Sequence, residues 1–290
     1  MGIQSASSPI IRGLAMQKQL RFSIALTTPM SQTIQQQHQP SIEGFLAMSR
    51  SATAVALLSA TLKERQQIGI QINGDGVLGE LYALSTHQGE VRVTVRHPQA
   101  STPSHQLEEA IGNGRMTVIK TLAQADPYRG TVPIFTGGIA EDLAYYFMNS
   151  EQIPTACGLG ESIDQNGQII ATGGYLVQAL PNTDDECLQQ LERNVLALPK
   201  LQDVFQQDQP LELLLQGLFA DDYQVMQEDE ICFHCPCERT RYARTLLTLG
   251  KEELTKIKEE DGEISISCHF CASQYHFNTE ELSALIYGAR

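Results

Sequence analysis

A chain of 290 residues, 42% of them apolar, can bury one substantial core and a smaller second one, which excludes global disorder. Its net charge of −14 excludes a polyanion-binding surface, so no nucleic acid partner is expected. No apolar run reaches about 18 residues, and no basic, apolar and cleavage regions open the chain; the expectation is a cytoplasmic protein with no membrane partner.

In chain order, Phe22, Ile24 and Leu26 alternate in an early strand over residues 20–27. Residues 41–62 read as a helix rich in Ala, Leu and Met, a buried one because few charges interrupt it. Ile68, Ile70 and Ile72 then alternate up to the turn signal Asn73-Gly74-Asp75-Gly76, with residues 77–83 expected as the hairpin partner. Residues 91–96 and 116–121 are further short strands. Residues 139–150 read as a helix with Glu141 and Asp142 in its first turn, where the helix dipole favours acids. A strand over residues 173–178 closes the region before Pro181. This mixture implies an α+β domain over residues 1–181, a large mixed sheet with helices. The Gly-rich stretches at residues 73–79, 136–138 and 172–174 lack the Gly-Lys-Ser/Thr ending of a phosphate loop and read as turns, so no nucleotide site is expected.

Residues 182–230 hold twelve acidic residues against Arg193 and Lys200, and so carry most of the charge excess. Leu188, Leu191, Val195 and Leu198 fall at helical spacing. Leu211, Leu214, Leu215, Leu218 and Phe219 repeat the pattern after Pro210, with breaks at Pro199 and Pro210. The segment is either a helical connector docked on the main domain or a metastable linker. Its self-repelling charge favours the second reading: without a neighbour to pack on, it releases its leucine faces.

Residues 231–290 contain the chemistry. Cys235-Pro236-Cys237 and Cys268-His269-Phe270-Cys271 are separated by the thirty residues from Glu238 to Ser267. Two such pairs can close one tetrahedral thiolate site around zinc, with Zn–S distances of about 2.3 Å, or become two disulfides. In an extended segment residues i and i+2 point to the same side, so Cys235 and Cys237 can face one metal. By spacing alone Cys232-Phe233-His234-Cys235 competes with that pair, and His234 and His269 are further candidate donors that four thiolates make unnecessary. Cys157 and Cys187 read as structural or spare thiols. Residues 251–260 read as a helix stopped by Asp261-Gly262, residues 263–267 as a strand, and Asn278 or Thr279 as the cap of a last helix. So few large apolar side chains make a poor core, and a structural metal worth roughly 10–16 kcal/mol would supply the missing folding energy. Thiolates are also the form that peroxide attacks. Oxidising one pair removes two of four ligands and is expected to unfold this module.

With these motifs in place the chain resembles the heat-shock protein 33 family of redox-regulated holdase chaperones. The resemblance rests on both cysteine pairs at their thirty-residue separation, with Phe233, Glu238-Arg239, Leu249-Gly250-Lys251-Glu252-Glu253-Leu254 and Tyr275-His276-Phe277 around them. In the large domain it rests on Asn73-Gly74-Asp75-Gly76-Val77-Leu78-Gly79, Tyr128-Arg129-Gly130, Ser150-Glu151-Gln152-Ile153-Pro154-Thr155, and the run from Gly173 through Gln178 to Pro181. It implies one zinc ion held by Cys235, Cys237, Cys268 and Cys271, against the Cys232 alternative. It further implies a reduced, inactive monomer whose linker packs on the client-binding domain. Oxidation would form the Cys268–Cys271 and then the Cys235–Cys237 disulfide, release zinc and loosen the linker. The oxidised form, a homodimer, would hold unfolding client proteins under oxidative and heat stress without ATP and without catalysis. The chain departs from the family's pattern at Met48-Ser49 before Arg50, at Arg92-Val93, and at Lys18-Gln19-Leu20, where an Asp-Gly turn is common. These departures bear on client binding and dimer contacts; the switch cysteines are intact.

Two other readings of the cysteine pairs carry distinct requirements. A zinc-ribbon interaction module would need a basic face, against which the acidic balance argues. A thiol–disulfide oxidoreductase working through Cys268 and Cys271 would need a thioredoxin-like βαβ setting, which the pattern lacks.

Overall fold

The computed structural model describes residues 3–122 and 126–288. Gln4–Phe233 make one compact unit, and His234–Arg290, together with Ile3, belong to a second.

The described chain opens with β1 (Ile3–Gln4), β2 (Ser8–Ala15), β3 (Leu20–Leu26), α1 (Thr28–His38) and α2 (Ile42–Ser59). It continues through β4 (Gln67–Gly74), β5 (Glu80–Thr86), β6 (Glu90–Val95), α3 (Leu107–Ile111), β7 (Gly114–Thr121) and β8 (Tyr128–Pro133). Then come α4 (Ala140–Tyr146), β9 (Thr155–Ile163), β10 (Ile169–Ala179), α5 (Asp185–Ala197), α6 (Leu201–Val204), α7 (Pro210–Phe219) and β11 (Tyr223–Cys235). The strands form one sheet in the order β8-β7-β4-β5-β6-β11-β2-β3-β10-β9, with β1 on β11. The fold class is α+β, as the alternating strands and apolar helix require. One strand splices two antiparallel halves. Residues 223–231 of β11 run antiparallel to β2, and Cys232 and Phe233 then pair parallel with Glu90 and Val91 of β6.

Helix α2 is buried along nearly its whole length, which explains its Ala- and Ser-rich, almost uncharged sequence. Ser41 caps it, accepting from Gly44 N at 3.0 Å. Two of its buried hydroxyls, Ser49 and Thr53, are satisfied in a chain: Thr53–Thr27, Thr27–Thr172, Thr172–Ser31 and Ser31–Ser49, each at 2.9 Å.

Two local expectations are corrected. The partner of β4 begins at Glu80 rather than residue 77, because residues 75–78 bond elsewhere. Asp75 N donates to Asn113 O, Gly76 N to Ile111 O and Leu78 N to Ala110 O. The helix expected over residues 139–150 is α-helical only to Tyr146 and continues as a π-helical turn over Phe147–Glu151. Ile139 is not its first helical residue; it sits at φ 69°. The Asp142 carboxylate holds it there, accepting from the backbone N–H of Phe135, Thr136, Gly137 and Ile139 at 2.7–3.2 Å.

Residues 182–222 lay three helices on the β2-β3-β10 face. Leu191, Val204, Phe205, Leu214, Leu215, Leu218 and Phe219 share a core with Ile11, Leu20, Phe22, Ile24, Tyr175 and Val177. The Phe22 and Phe219 rings lie 5.1 Å apart. The approach is close enough to demand glycine beneath it: a Cβ on Gly160 of β9 would fall 2.6 Å from Leu201 Cβ. Residues 223–230, expected in the linker, form the β11 strand. No described helix is long and apolar enough to cross a membrane.

Glu43, in the first turn of α2, is fully buried. Burial alone would raise its carboxyl, but the Thr102 N–H (2.9 Å), its own backbone, Ser101 Oγ (2.8 Å) and His105 together hold it down to about 2. A depressed carboxyl stabilises the fold above the ordinary value of 4.5, and that contribution is lost as pH falls through about 2. The thermal midpoint of the wild-type chain should therefore drop more steeply than that of Glu43→Gln between about pH 5 and pH 2, the two curves converging at the acid end. Parallel curves would show that this carboxyl is not ionised in the fold.

Candidate metal centre

The smaller unit is built from the end of β11, α8 (Arg239–Leu247), α9 (Lys251–Glu260), β12 (Ile264–Ser267), β13 (Gln274–Phe277) and α10 (Thr279–Gly288). Its apolar core is small: Leu246, Leu254, Phe277 and Leu282 are buried, with partly covered side chains around them. Helix α9 ends at Glu260, where the Asp261-Gly262 stop was expected, and Gly262 takes φ 74°. Asn278 rather than Thr279 caps α10. Its Oδ1 accepts from Glu281 N, and Glu281 Oε2 accepts from Asn278 N, both at 3.0 Å.

Each cysteine pair is placed by its local backbone. Cys235 is the last residue of β11, and the extended chain turns Cys237 to the same side. Cys268 and Cys271 sit in the β12–β13 connection, a knuckle closed by Cys268 N to Ser273 O and Ala272 N to Cys268 O, both 2.8 Å. Ala272 takes φ 55° to complete it.

The four sulfurs all lie within 4.8 Å of one another, and this is a group among the described residues that could hold a metal ion. Cys235, Cys237, Cys268 and Cys271 are 2%, 3%, 4% and 0% exposed, so the donors face inward. Cys235 Sγ–Cys268 Sγ is 3.6 Å and Cys237 Sγ–Cys271 Sγ 3.2 Å. A zinc–sulfur distance of about 2.3 Å places tetrahedral ligands about 3.8 Å apart, so the cluster needs only small adjustments to close on an ion. A set of four sulfurs without oxygen or imidazole suits zinc or an iron–sulfur centre rather than a hard cation. Neither Cys232 nor His234 nor His269 belongs to the group.

The hydrogen bond between Cys235 and Cys268 raises the first thiol and lowers the second, and Cys271 acts in the same direction on each. A thiolate in this cluster is therefore stabilised by S–H groups donated from its neighbours. Its surroundings are polar where sulfur needs donors. Tyr275 Oη donates to Cys237 Sγ at 3.1 Å and lies 3.0 Å from Cys237 O, and its ring stacks on Tyr242 with centroids 4.7 Å apart. Cys271 Sγ lies 3.2 Å from Ser273 Oγ. Tyr242 and Ser273 escaped the sequence reading because an isolated Tyr or Ser near a ligand carries no spacing signal. Of the other thiols, Cys187 is buried against Met16 Sδ at 3.6 Å, and burial raises both Cys187 and Cys157 above the ordinary thiol range.

A mixed-sheet unit with a helical segment docked on one face, and a separate small unit closed by four buried cysteines, defines a two-unit thiolate-centre protein. Residues 8–278 match the Hsp33 protein family, and the chain belongs to it. A 33 kDa chaperonin of Alkaliphilus metalliredigens is 35% identical over 97% of this chain and 99% of its own length. The 33 kDa chaperonin of Bacillus subtilis is 31% identical over 95% of this chain and 97% of its own. The crystal structure of the 33 kDa chaperonin (heat shock protein 33 homolog) of Thermotoga maritima superposes with a TM-score of 0.90 at 31% identity, covering 97% of this chain and 98% of that one.

Removing an outer hydrogen bond to a ligand typically costs 10- to 100-fold in metal affinity. Tyr275→Phe should therefore weaken zinc binding by about tenfold in a chelator competition, with the secondary structure of the reduced, zinc-loaded chain unchanged. Unaltered affinity would mean that the Tyr275 hydroxyl does not support the cluster.

Proposed function

We propose that the chain is a redox-regulated, ATP-independent holding chaperone of the cytoplasm. Its resident metal is one zinc ion held by Cys235, Cys237, Cys268 and Cys271. The observation that carries the reading is the pairing of this buried four-sulfur cluster with an acidic helical segment that covers an apolar sheet face. When bound, zinc neutralises the clustered thiolates and contributes the folding energy that a four-residue core cannot.

In the order the family resemblance implies, the Cys268 thiolate attacks peroxide; the O–O bond breaks, leaving a sulfenic acid at Cys268 and hydroxide. The Cys271 thiolate then attacks that sulfur, forming the Cys268–Cys271 disulfide and expelling a second hydroxide. A second peroxide converts Cys235 and Cys237 in the same way. Each disulfide removes two donors, and the small unit loses its cross-link. Family resemblance supports this pairing within each Cys pair; the Cys235–Cys268 and Cys237–Cys271 sulfur contacts at 3.6 and 3.2 Å run between pairs.

The large unit supplies the response. Residues 182–222 cover Phe22, Ile24, Tyr175 and Val177 with leucine and phenylalanine side chains. Undocking would expose an apolar face and the apolar sides of the helices, a surface suited to unfolding proteins. The exposed apolar area also provides a face for dimerisation of the oxidised form; the reduced form is expected to remain a monomer.

Zinc release and suppression of client aggregation, measured together before and after peroxide at elevated temperature, test the reading. Zinc loss accompanied by client protection, reversed by thiol reductant, is the expected result. Zinc retained after peroxide, or lost without protection, would leave a purely structural metal module. Cys268→Ser should lose tight zinc binding and protect clients without oxidant.

A further inference from the structure

The β2–β3 turn holds three successive non-glycine residues in the left-handed region: Met16 at φ 49°, Gln17 at 55° and Lys18 at 65°. L-residues visit that region singly rather than in runs, because Cβ crowds the following carbonyl. Such backbone persists only where its surroundings over-determine it. Here the constraint comes from both ends of the docked helical segment.

At the start of the segment, Asp184 N donates to Gln19 Oε1 at 2.8 Å and Gln19 Nε2 donates to Asp184 Oδ2 at 2.9 Å. Thr183 Oγ1 donates to Gln19 O at 2.7 Å. At its end, Met16 N donates to Asp222 O at 2.9 Å, and Gln17 N donates to the Asp222 carboxylate at 3.1 and 3.2 Å. The segment is itself strained at the same two places, with Asn182 at φ 71° and Ala220 at φ 52°. One four-residue turn thus grips both ends of three helices, with left-handed backbone on each side of the grip.

We propose that this turn is a two-ended latch that sets how readily residues 183–222 leave the sheet. Docking holds left-handed backbone on both sides, and undocking lets it relax. The release threshold is therefore governed by the turn's hydrogen bonds and by the strain they retain, and can be moved without touching a cysteine. The inference rests on the reading that these helices undock, but its test reads undocking itself.

Amide hydrogen exchange on the reduced, zinc-loaded full chain would follow peptides spanning α5 and α7, with zinc content measured alongside. Asp222→Ala removes the carboxylate that accepts from Gln17 and should speed exchange there about tenfold. Ala220→Gly removes strain while keeping every hydrogen bond of the grip and should slow exchange about fivefold. Zinc content should stay constant in both variants. Unchanged exchange in Asp222→Ala overturns the latch, and so does faster exchange that appears only together with zinc loss. Exchange that shifts as expected while client protection fails to follow it would leave the latch standing and sink the chaperone mechanism instead.

Discussion

Thiolates repel one another, and four of them buried within 4.8 Å of each other need a cation, protons or covalent bonds between them. That constraint organises the small unit. Its core of Leu246, Leu254, Phe277 and Leu282 is too small to fix two cysteine-bearing segments by packing alone. The segments need a cross-link through their sulfurs, which a bound metal ion would supply. The proposed redox response follows from that dependence: a reagent that converted these thiols would remove the cross-link.

The large unit is arranged around a different balance. Its sheet face carries enough apolar surface to need a cover, and the cover, residues 182–222, carries nine acids against Arg193 and Lys200. Packing favours docking, while charge repulsion within the segment opposes it. The left-handed residues at Met16, Gln17, Lys18 and Ala220 add to the opposition. Docking contacts and retained strain are thus set against each other over the same short stretch of chain. This balance is the physical basis on which the proposed function has the cover released.

Much of this was legible before the structure. The cysteine spacing located the cluster, an Ala-rich, nearly uncharged run located α2, helical periodicity located α5 and α7, the Asp261-Gly262 stop located the end of α9, and strand alternation located β3 and β4. Other elements were not legible, for physical reasons. Strand β9 is interrupted by Gly158 and Gly160, residues with weak strand preference; Gly160 is there because Leu201 packs within 2.6 Å of where its Cβ would be. Strand β2 carries no clean alternation because it lies between β3 and β11 with most of its side chains buried. Strand β11 reads as acidic linker over residues 228–230, and only its pairing with Pro9, Ile10 and Ile11 of β2 makes it a strand. The β4–β5 connection looked like a tight hairpin until the end of α3 and the loop after it accepted from its backbone donors.

The sequence by itself narrowed the metal-competent residues to the close cysteine pairs, because ligand chemistry depends on residue type and spacing, but spacing left Cys232 in competition and the fold brings together only Cys235, Cys237, Cys268 and Cys271. It also determined where charge and apolar periodicity place the covering helices. Only the tertiary structure decided which sheet face those helices cover, that Tyr275 supports Cys237, and that one strained turn holds both ends of the cover. These depend on contacts between residues up to about two hundred positions apart, such as Gln17 with Asp222. No local pattern encodes them, since each side of the contact is an ordinary polar residue until the fold brings the other to it.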